Sequence, residues 1–378
     1  MIYFDNAATS GKKPDRVIDS AFTAMKYLNV NAGRSAHRLA ISAEEQIYKT
    51  RKEVCSFFVS DCVEQVIFTK NCTEALNFAI LGSLKQGDHV ITSTFEHNSV
   101  LRPLYYLQEQ GIIDLTIVKP SCKNIILKED IEKALRENTK MVCLTCASNV
   151  TGEIQDYEAI GALLKDKEII FLVDGAQGAG HLAINMIKQN IDIFCISAHK
   201  GLDCIQGIGA LIFKKGIKIS PITFGGSGSE SFAKRPSGYP EMLECGTVNL
   251  PSIIALKESI FYTKQNLSAK QRYLLDLTGY AITKLQDLTD VKLYSNKNPV
   301  GIISFAYKDY SSQEVAGVLS HKFDIAVRGG FHCAPLTHEY LKTKENGLIR
   351  LSFSQFNSYD EIDAFIVALK KVDEYLFN

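Results

Sequence analysis

Apolar positions along the chain gather into short, nearly continuous runs separated by longer stretches of mixed character. Gln65–Lys70, His89–Ser93, Leu115–Val118, Met141–Thr145, Ile169–Asp174, Ile191–Ser197 and Gly209–Phe213 are such runs. Runs of this length without strict alternation predict strands buried on both faces. The stretches between them suit helices, including an amphipathic one near Ala43–Phe58 and one opening at Asn71-Cys72-Thr73-Glu74, where Thr73 or Asn71 is placed to cap it. Strands alternating with helices predict a mostly parallel sheet covered on both sides.

From about Pro251 the pattern changes. A long helical stretch is followed by strands at Val291–Tyr294 and Gly301–Phe305, a helix near Gln313–Phe323, a strand at Ile325, an alternating strand at Leu348–Phe353 and an amphipathic helix over Tyr359–Phe377. This predicts a smaller α+β unit, so the expected division is 1–250 and 251–378, with the N-terminal segment packing on the smaller unit. A chain of 378 residues suits one large and one small domain.

Composition narrows the function. Forty-two Lys plus Arg balance 42 Asp plus Glu, which leaves no net field for nucleic acid or an acidic membrane and makes a small molecule the expected substrate. The opening Met1–Ala8 has neither a basic nor an apolar leader region, and no run approaches the length of a membrane span, so a cytoplasmic protein is expected. Its ten cysteines then read as reduced thiols. Cys143 and Cys146 stand three apart in a strand-like run, which sends them to opposite faces, and no metal site is expected.

The chemistry collects at strand ends. Two runs finish in Asp174 and Gln177, and in Ser197, His199 and Lys200. A lysine directly after a buried strand suits an amine whose pKa must fall before it acts as a nucleophile. For Lys200 alone a surface loop is the stronger reading; a carboxylate ending the neighbouring run reverses that. An amine for covalent attachment and a carboxylate that keeps a pyridine nitrogen protonated are what pyridoxal phosphate requires.

Other residues carry two readings each. His97, in the polar turn Phe95–Ser99, is either solvated or part of the same edge. Asn149 and Gln177 either satisfy turns or face a ligand. Arg350, between Ile349 and Leu351 in an alternating strand, reads locally as its wet face. Cys333 stands in a Gly-, His- and Pro-containing loop that burial does not explain, with Arg328 and His332 near enough in sequence to favour thiolate.

The segments Val173–Gln177 and Ser197–Gly201 resemble the cofactor motifs of class V aminotransferase-like proteins, specifically the cysteine desulfurases. The likeness runs from the first residues to nearly the last, and Arg328–Pro335 resembles the short-loop form, the selenocysteine-lyase-like group. It implies a fold-type I pyridoxal phosphate-dependent transferase, α/β, with a mostly parallel seven-stranded sheet in the large domain and a smaller α+β C-terminal domain carrying the cysteine loop. The implied reaction converts L-cysteine to L-alanine and leaves a persulfide on Cys333. Lys200 would carry the cofactor and move the proton, Asp174 would face the ring nitrogen, and His97 would stack on the ring. Cys72 and Thr73 would serve the phosphate, Asn149 and Gln177 the phenolic oxygen, and Ser197 and His199 would complete the cofactor set. Asn6 and Ala7 resemble a pocket wall, and Arg328 and Arg350 substrate-binding residues. Ser227, in Phe224–Ser229, resembles a residue reaching the partner's phosphate, which implies a homodimer.

The implied partners are L-cysteine or L-selenocysteine and a sulfur-acceptor protein or small thiol. Rival readings are a selenocysteine lyase, an aminotransferase or β-lyase in which Cys333 is incidental, and a non-catalytic protein that keeps the fold. Two departures from the family pattern stand out: Asp203-Cys204-Ile205 after the lysine, and Met242 where relatives commonly carry arginine.

Overall fold

The computed structural model describes every residue except Arg34, Lys123, Ser229, Phe377 and Asn378. Arg34, in the polar stretch after the first helix, the loop end Ser229 and the helix end Phe377 therefore lie outside the described residues. The chain opens with β1 (Ile2–Tyr3), α1 (Asp15–Tyr27) and α2 (Arg38–Phe57). Then follow β2 (Val66–Thr69), α3 (Cys72–Ser83), β3 (Asp88–Ser93), α4 (Asn98–Glu109), β4 (Ile113–Val118), α5 (Lys128–Ala134) and β5 (Thr139–Thr145). The large unit closes with α6 (Tyr157–Leu164), β6 (Ile170–Asp174), β7 (Ile193–Ser197) and β8 (Gly209–Phe213).

These strands form one seven-stranded sheet in the order β2-β8-β7-β6-β5-β3-β4. Only β8 runs against the others, so the connection from β7 needs no crossover helix and residues 198–208 form a tight loop. The near-continuous apolar runs have a direct cause: each face of the sheet is covered. Phe171 and Val173, Val142 and Leu144, and Phe194 and Ile196 enter one core, while Ile170 and Leu172, Met141 and Cys143, and Ile193 and Cys195 enter the other. Cys146 belongs to the first core and Cys143 to the second, as the spacing predicts. Among the described residues no cluster of His, Cys, Asp or Glu could hold a metal, and no helix is long and apolar enough to cross a membrane.

Helix α7 (Leu250–Gln286) spans both units. Its Ile253, Leu256 and Ile260 join the core of the large sheet, and its Leu274, Leu277, Ala281 and Leu285 join a third core. That core is built with β9 (Val291–Leu293), β10 (Ile302–Tyr307), α8 (Ser312–Phe323), β11 (Ile325–Ala326), β12 (Arg328–Gly330), α9 (Pro335–Tyr340), β13 (Leu348–Ser352), α10 (Tyr359–Leu369) and α11 (Asp373–Leu376). A four-stranded sheet runs β12-β13-β10-β9, and β1 pairs in parallel with β11, Ile2 opposite Ile325. The single final helix expected over Tyr359–Phe377 is two: α10 ends at Leu369, and the turn that follows buries Val372 in the third core.

The loop after β7 is fastened to α7 by a buried ion pair. Lys270 Nζ lies 2.8 Å from Asp203 Oδ2 and donates to the carbonyl of Gly201, and Gln355 donates to the same Asp203 oxygen. Asp203, one of the departures, thus holds the lysine loop against the long helix, with its own backbone left-handed at φ 54°. Removing one member of such a pair strands a buried charge, which costs about 3–5 kcal/mol. Lys270→Met is expected to lower the thermal unfolding midpoint sharply, and adding Asp203→Leu to restore most of it; equal midpoints for Lys270→Met and the parent would show the pair to be immaterial.

Candidate active site

Parallel pairing places the ends of β6 and β7 side by side, with Asp174 registered against Cys195. Asp174 closes β6, Ser197 closes β7, and Lys200 stands in the loop beyond. Both groups line one pocket, together with His97, Asn149, Gln177 and His199 and the start of α3. Burial lowers the Lys200 ammonium and raises the Asp174 carboxyl; each charge partly offsets the other's shift. Among the described residues Lys200 takes part in no ion pair, so its amine is left to the pocket. Asp174 Oδ1 accepts from the amide of Ala176 at 2.8 Å and from the Cys72 thiol at 3.5 Å, two contacts that fix the carboxylate's rotation.

Helix α3 begins at the pocket. Asn71, not Thr73, is its cap: Asn71 Oδ1 accepts from the Glu74 amide at 2.9 Å. The amides of Cys72 and Thr73, in the first turn, have no intrahelical acceptor and carry the positive end of the helix dipole. The close approach of this turn to the sheet depends on Gly209, where a Cβ would stand 2.7 Å from the Asn71 carbonyl carbon. Thr73 Oγ1 contacts Ser99 Oγ at 2.8 Å, and Ser99 Oγ contacts His97 Nδ1 at 2.8 Å.

His97 caps α4. Its Nδ1 accepts from the Ser99 amide at 3.0 Å, so the neutral ring carries its proton on Nε2. Burial, with Lys200, Arg328 and Arg350 nearby, pulls its pKa down to about 4. The turn holding it is not the solvated one a polar sequence suggests, since Phe95 and Glu96 are fully buried.

On the opposite side lies the cysteine loop. His332 and Cys333 both have left-handed backbones, φ 50° and 57°, a conformation that costs ordinary residues about 1–3 kcal/mol each. It is held from the large unit: the Asn149 side-chain amide donates to the His332 carbonyl at 2.7 Å, and the Asn98 amide to the Cys333 carbonyl at 2.8 Å. Cys333 is exposed, with Arg328 Nη2 at 3.9 Å from its sulfur. His332 supplies no charge there, because it is buried against the Leu348 carbonyl and burial holds its pKa well below the usual range. His97 lines both the Lys200 pocket and the cleft that opens on Cys333.

Arg350 is not on a wet face. β13 lies between β12 and β10 and is buried throughout, which leaves Arg350 1% exposed. It donates to Asp5 Oδ1 at 2.8 Å and to the Asn149 carbonyl at 2.9 Å, while Nε has no partner. Asn6 is committed to structure, donating to Ser352 and Asn357 and accepting from Gly11. Ala7 accepts at its carbonyl from Gln177 Nε2, and Gln177 Oε1 is buried without a partner. Ser227 is not in the Lys200 pocket; it borders a separate groove with Arg51, Tyr239 and Glu244. The Met242 departure leaves that groove's ion pair intact, since Glu244 engages both Nη atoms of Arg51 at 2.8 and 2.9 Å.

Three partners escaped the sequence reading. Asp5 stands 345 positions from Arg350, a separation that no local pattern bridges. Glu96 accepts from Ser93 and the Thr145 amide through one oxygen, and burial pushes its pKa up to about 8. Lys270 sits within an ordinary helical pattern.

The donor set suits pyridoxal phosphate: an unpaired amine, a fixed carboxylate one strand away, free helix-start amides, and orphaned polar atoms on Gln177 and on His199 Nδ1. Comparison with known proteins gives the family. The model of the family Aminotransferase class-V matches residues 2–365. A "probable cysteine desulfurase" of Borreliella burgdorferi is 34% identical, covering 98% of this chain and 92% of its own. A cysteine desulfurase of Wigglesworthia glossinidia brevipalpis is 30% identical, covering 100% and 93%. The apo structure of cysteine desulfurase from Thermococcus onnurineus superposes with a TM-score of 0.90 at 30% identity, over 99% of this chain and 95% of that one.

Buried ionisable groups give the site's pH dependence a definite sign. Unfolded histidines titrate near 6.5, but in the folded chain His97, His199 and His338 stay neutral down to about 4 and His181 to about 3. From about 4 to 6.5 the unfolded state binds more protons, so stability rises with pH and is lost as pH falls. Glu96 has the opposite sign: folded, it keeps its proton to about 8, so its contribution is present at 4.5 and is lost as pH rises. The melting temperature is expected to climb from pH 4 to about 6.5 and then decline toward 8, and Glu96→Gln to flatten the decline; an unchanged decline would free Glu96 of this role.

Proposed function

The chain belongs to the class-V aminotransferase family and is an enzyme of its cysteine desulfurase group, with a fold-type I architecture; we propose that it removes sulfur from L-cysteine to give L-alanine and leaves a persulfide on Cys333. The observation that carries this is an exposed cysteine in a strained, anchored loop, lining a cleft that shares His97 with the pocket of Lys200 and Asp174.

Pyridoxal phosphate, held by Lys200, Asp174, Gln177 and the amides of Cys72 and Thr73, supplies the electron sink. Arg350 and Arg328 bind the substrate carboxylate, Arg350 through its planar fork. As a thiolate, Cys333 attacks the substrate sulfur; an S–S bond forms as the Cβ–Sγ bond breaks, and Lys200 Nζ delivers the proton that completes L-alanine. One substrate and one enzyme thiol give one alanine and one persulfide, so the step balances without an external oxidant. His97 presents an Nε2–H donor over the pocket and stays neutral throughout the physiological range. Asn149 and Asn98 keep Cys333 from moving far, which brings the acceptor, a protein or a small thiol, to the cleft between α3 and α4.

A homodimer completes this reading. Phe224 and Phe232 are exposed on either side of Ser227, as are Phe22 and Met25 on α1, and a second copy covering them would bring Ser227 to the partner's phosphate.

Replacing Cys333 with Ser tests the assignment. The variant is expected to keep its cofactor absorbance and lose alanine production from L-cysteine by about 100-fold or more; production at the parent rate would make Cys333 a bystander. Arg350→Lys is expected to raise KM for L-cysteine at least about tenfold with little effect on cofactor affinity. A parent-like KM would move the clamp to Arg328.

A further inference from the structure

Arg350 is fully enclosed, yet its guanidinium is already engaged. Nη2 meets Asp5 Oδ1 at 2.8 Å and Nη1 meets the Asn149 carbonyl at 2.9 Å, while Nε is buried and unpartnered. A carboxylate gripped bidentately through Nε and Nη2 therefore shares Nη2 with Asp5 and is held beside its negative charge. The two members of the pair differ in freedom: the Arg350 side chain is 1% exposed and that of Asp5 23%. Asp5 can turn toward water when displaced, and Arg350 has nowhere to go. The groups that feel Arg350 include Arg328, Cys333, Lys200, Tyr3, His97 and His332, the two histidines held neutral by burial.

We infer that Asp5 is a resident counterion of Arg350 that competes with the substrate and product carboxylate, and so sets how loosely the site holds an amino acid. This rests on Arg350 being the carboxylate clamp. Asp5 is a positioning residue: it acts through Arg350 and need not touch the reacting atoms. Its competition keeps the guanidinium ordered before substrate arrives and speeds the departure of L-alanine afterwards, at the expense of affinity.

The test is equilibrium binding of L-alanine to the holoenzyme, followed by the change in visible absorbance, for the parent, Asp5→Asn and Arg350→Lys. Removing one negative charge next to the clamp is expected to tighten L-alanine by about tenfold or more, with KM for L-cysteine falling in parallel and kcat not rising. If Asp5 only props the arginine, Asp5→Asn weakens L-alanine and raises KM; that outcome, or unchanged affinity, overturns the proposal. Asp5→Ser repeats the charge test should the amide disturb the turn in which the Asp5 carbonyl accepts from Ala8 and Thr9. Failure of the clamp itself is read separately, as L-alanine affinity unchanged in Arg350→Lys whatever Asp5→Asn does.

Discussion

An amine and a carboxylate held out of water at the ends of two neighbouring parallel strands is the constraint on which the other parts of this molecule depend. Strand spacing is about 4.8 Å, so register alone brings the two strand ends within reach of one small ring. Because both faces of β6 and β7 are packed, Asp174 is buried and Lys200 half-buried, and desolvation presses each toward its neutral form. That same dryness keeps His97 neutral and Glu96 protonated at neutral pH. Charge enters from the other side, on Arg328 and Arg350, and is balanced there by Asp5.

Much of this was legible in the sequence, and what was missed has a physical pattern. Continuous apolar runs reported strands covered on both faces, and the residues directly after them reported the pocket, because strand ends and helix starts are fixed by local geometry. Asp174 and Lys200 could be picked out for that reason, whereas Thr73 and His97 needed the family resemblance to be singled out from ordinary turn residues. Asp5 and Arg350 are a different case: Arg350 lies in a strand whose local pattern allows a wet face, and only the placement of β13 between β12 and β10 buries it. Lys270 is likewise invisible, since its partner is a loop residue that departs from the family pattern. His332 misled in the opposite direction; a histidine beside a reactive cysteine suggests a cation, and tertiary burial removes the charge.

The cysteine loop shows how two units divide one task. Its strain is generated within the smaller unit, where two successive residues are left-handed, but it is held by Asn149 and Asn98 of the larger one. Neither unit alone fixes Cys333. The same Asn149 offers its carbonyl to Arg350, so Cys333 and Arg350 are both referenced to the segment just beyond β5 and share one frame.

Pairing of β1 with β11 has a consequence for synthesis. During translation β1 leaves the ribosome more than 300 residues ahead of the strand it joins, and Asp5 waits still longer for Arg350. The seven-stranded sheet can collapse while the chain is still growing, but β1 must stay unpaired until β11 has emerged. The Asp5–Arg350 pair consequently forms late, and a nascent chain that has not yet released β13 lacks it.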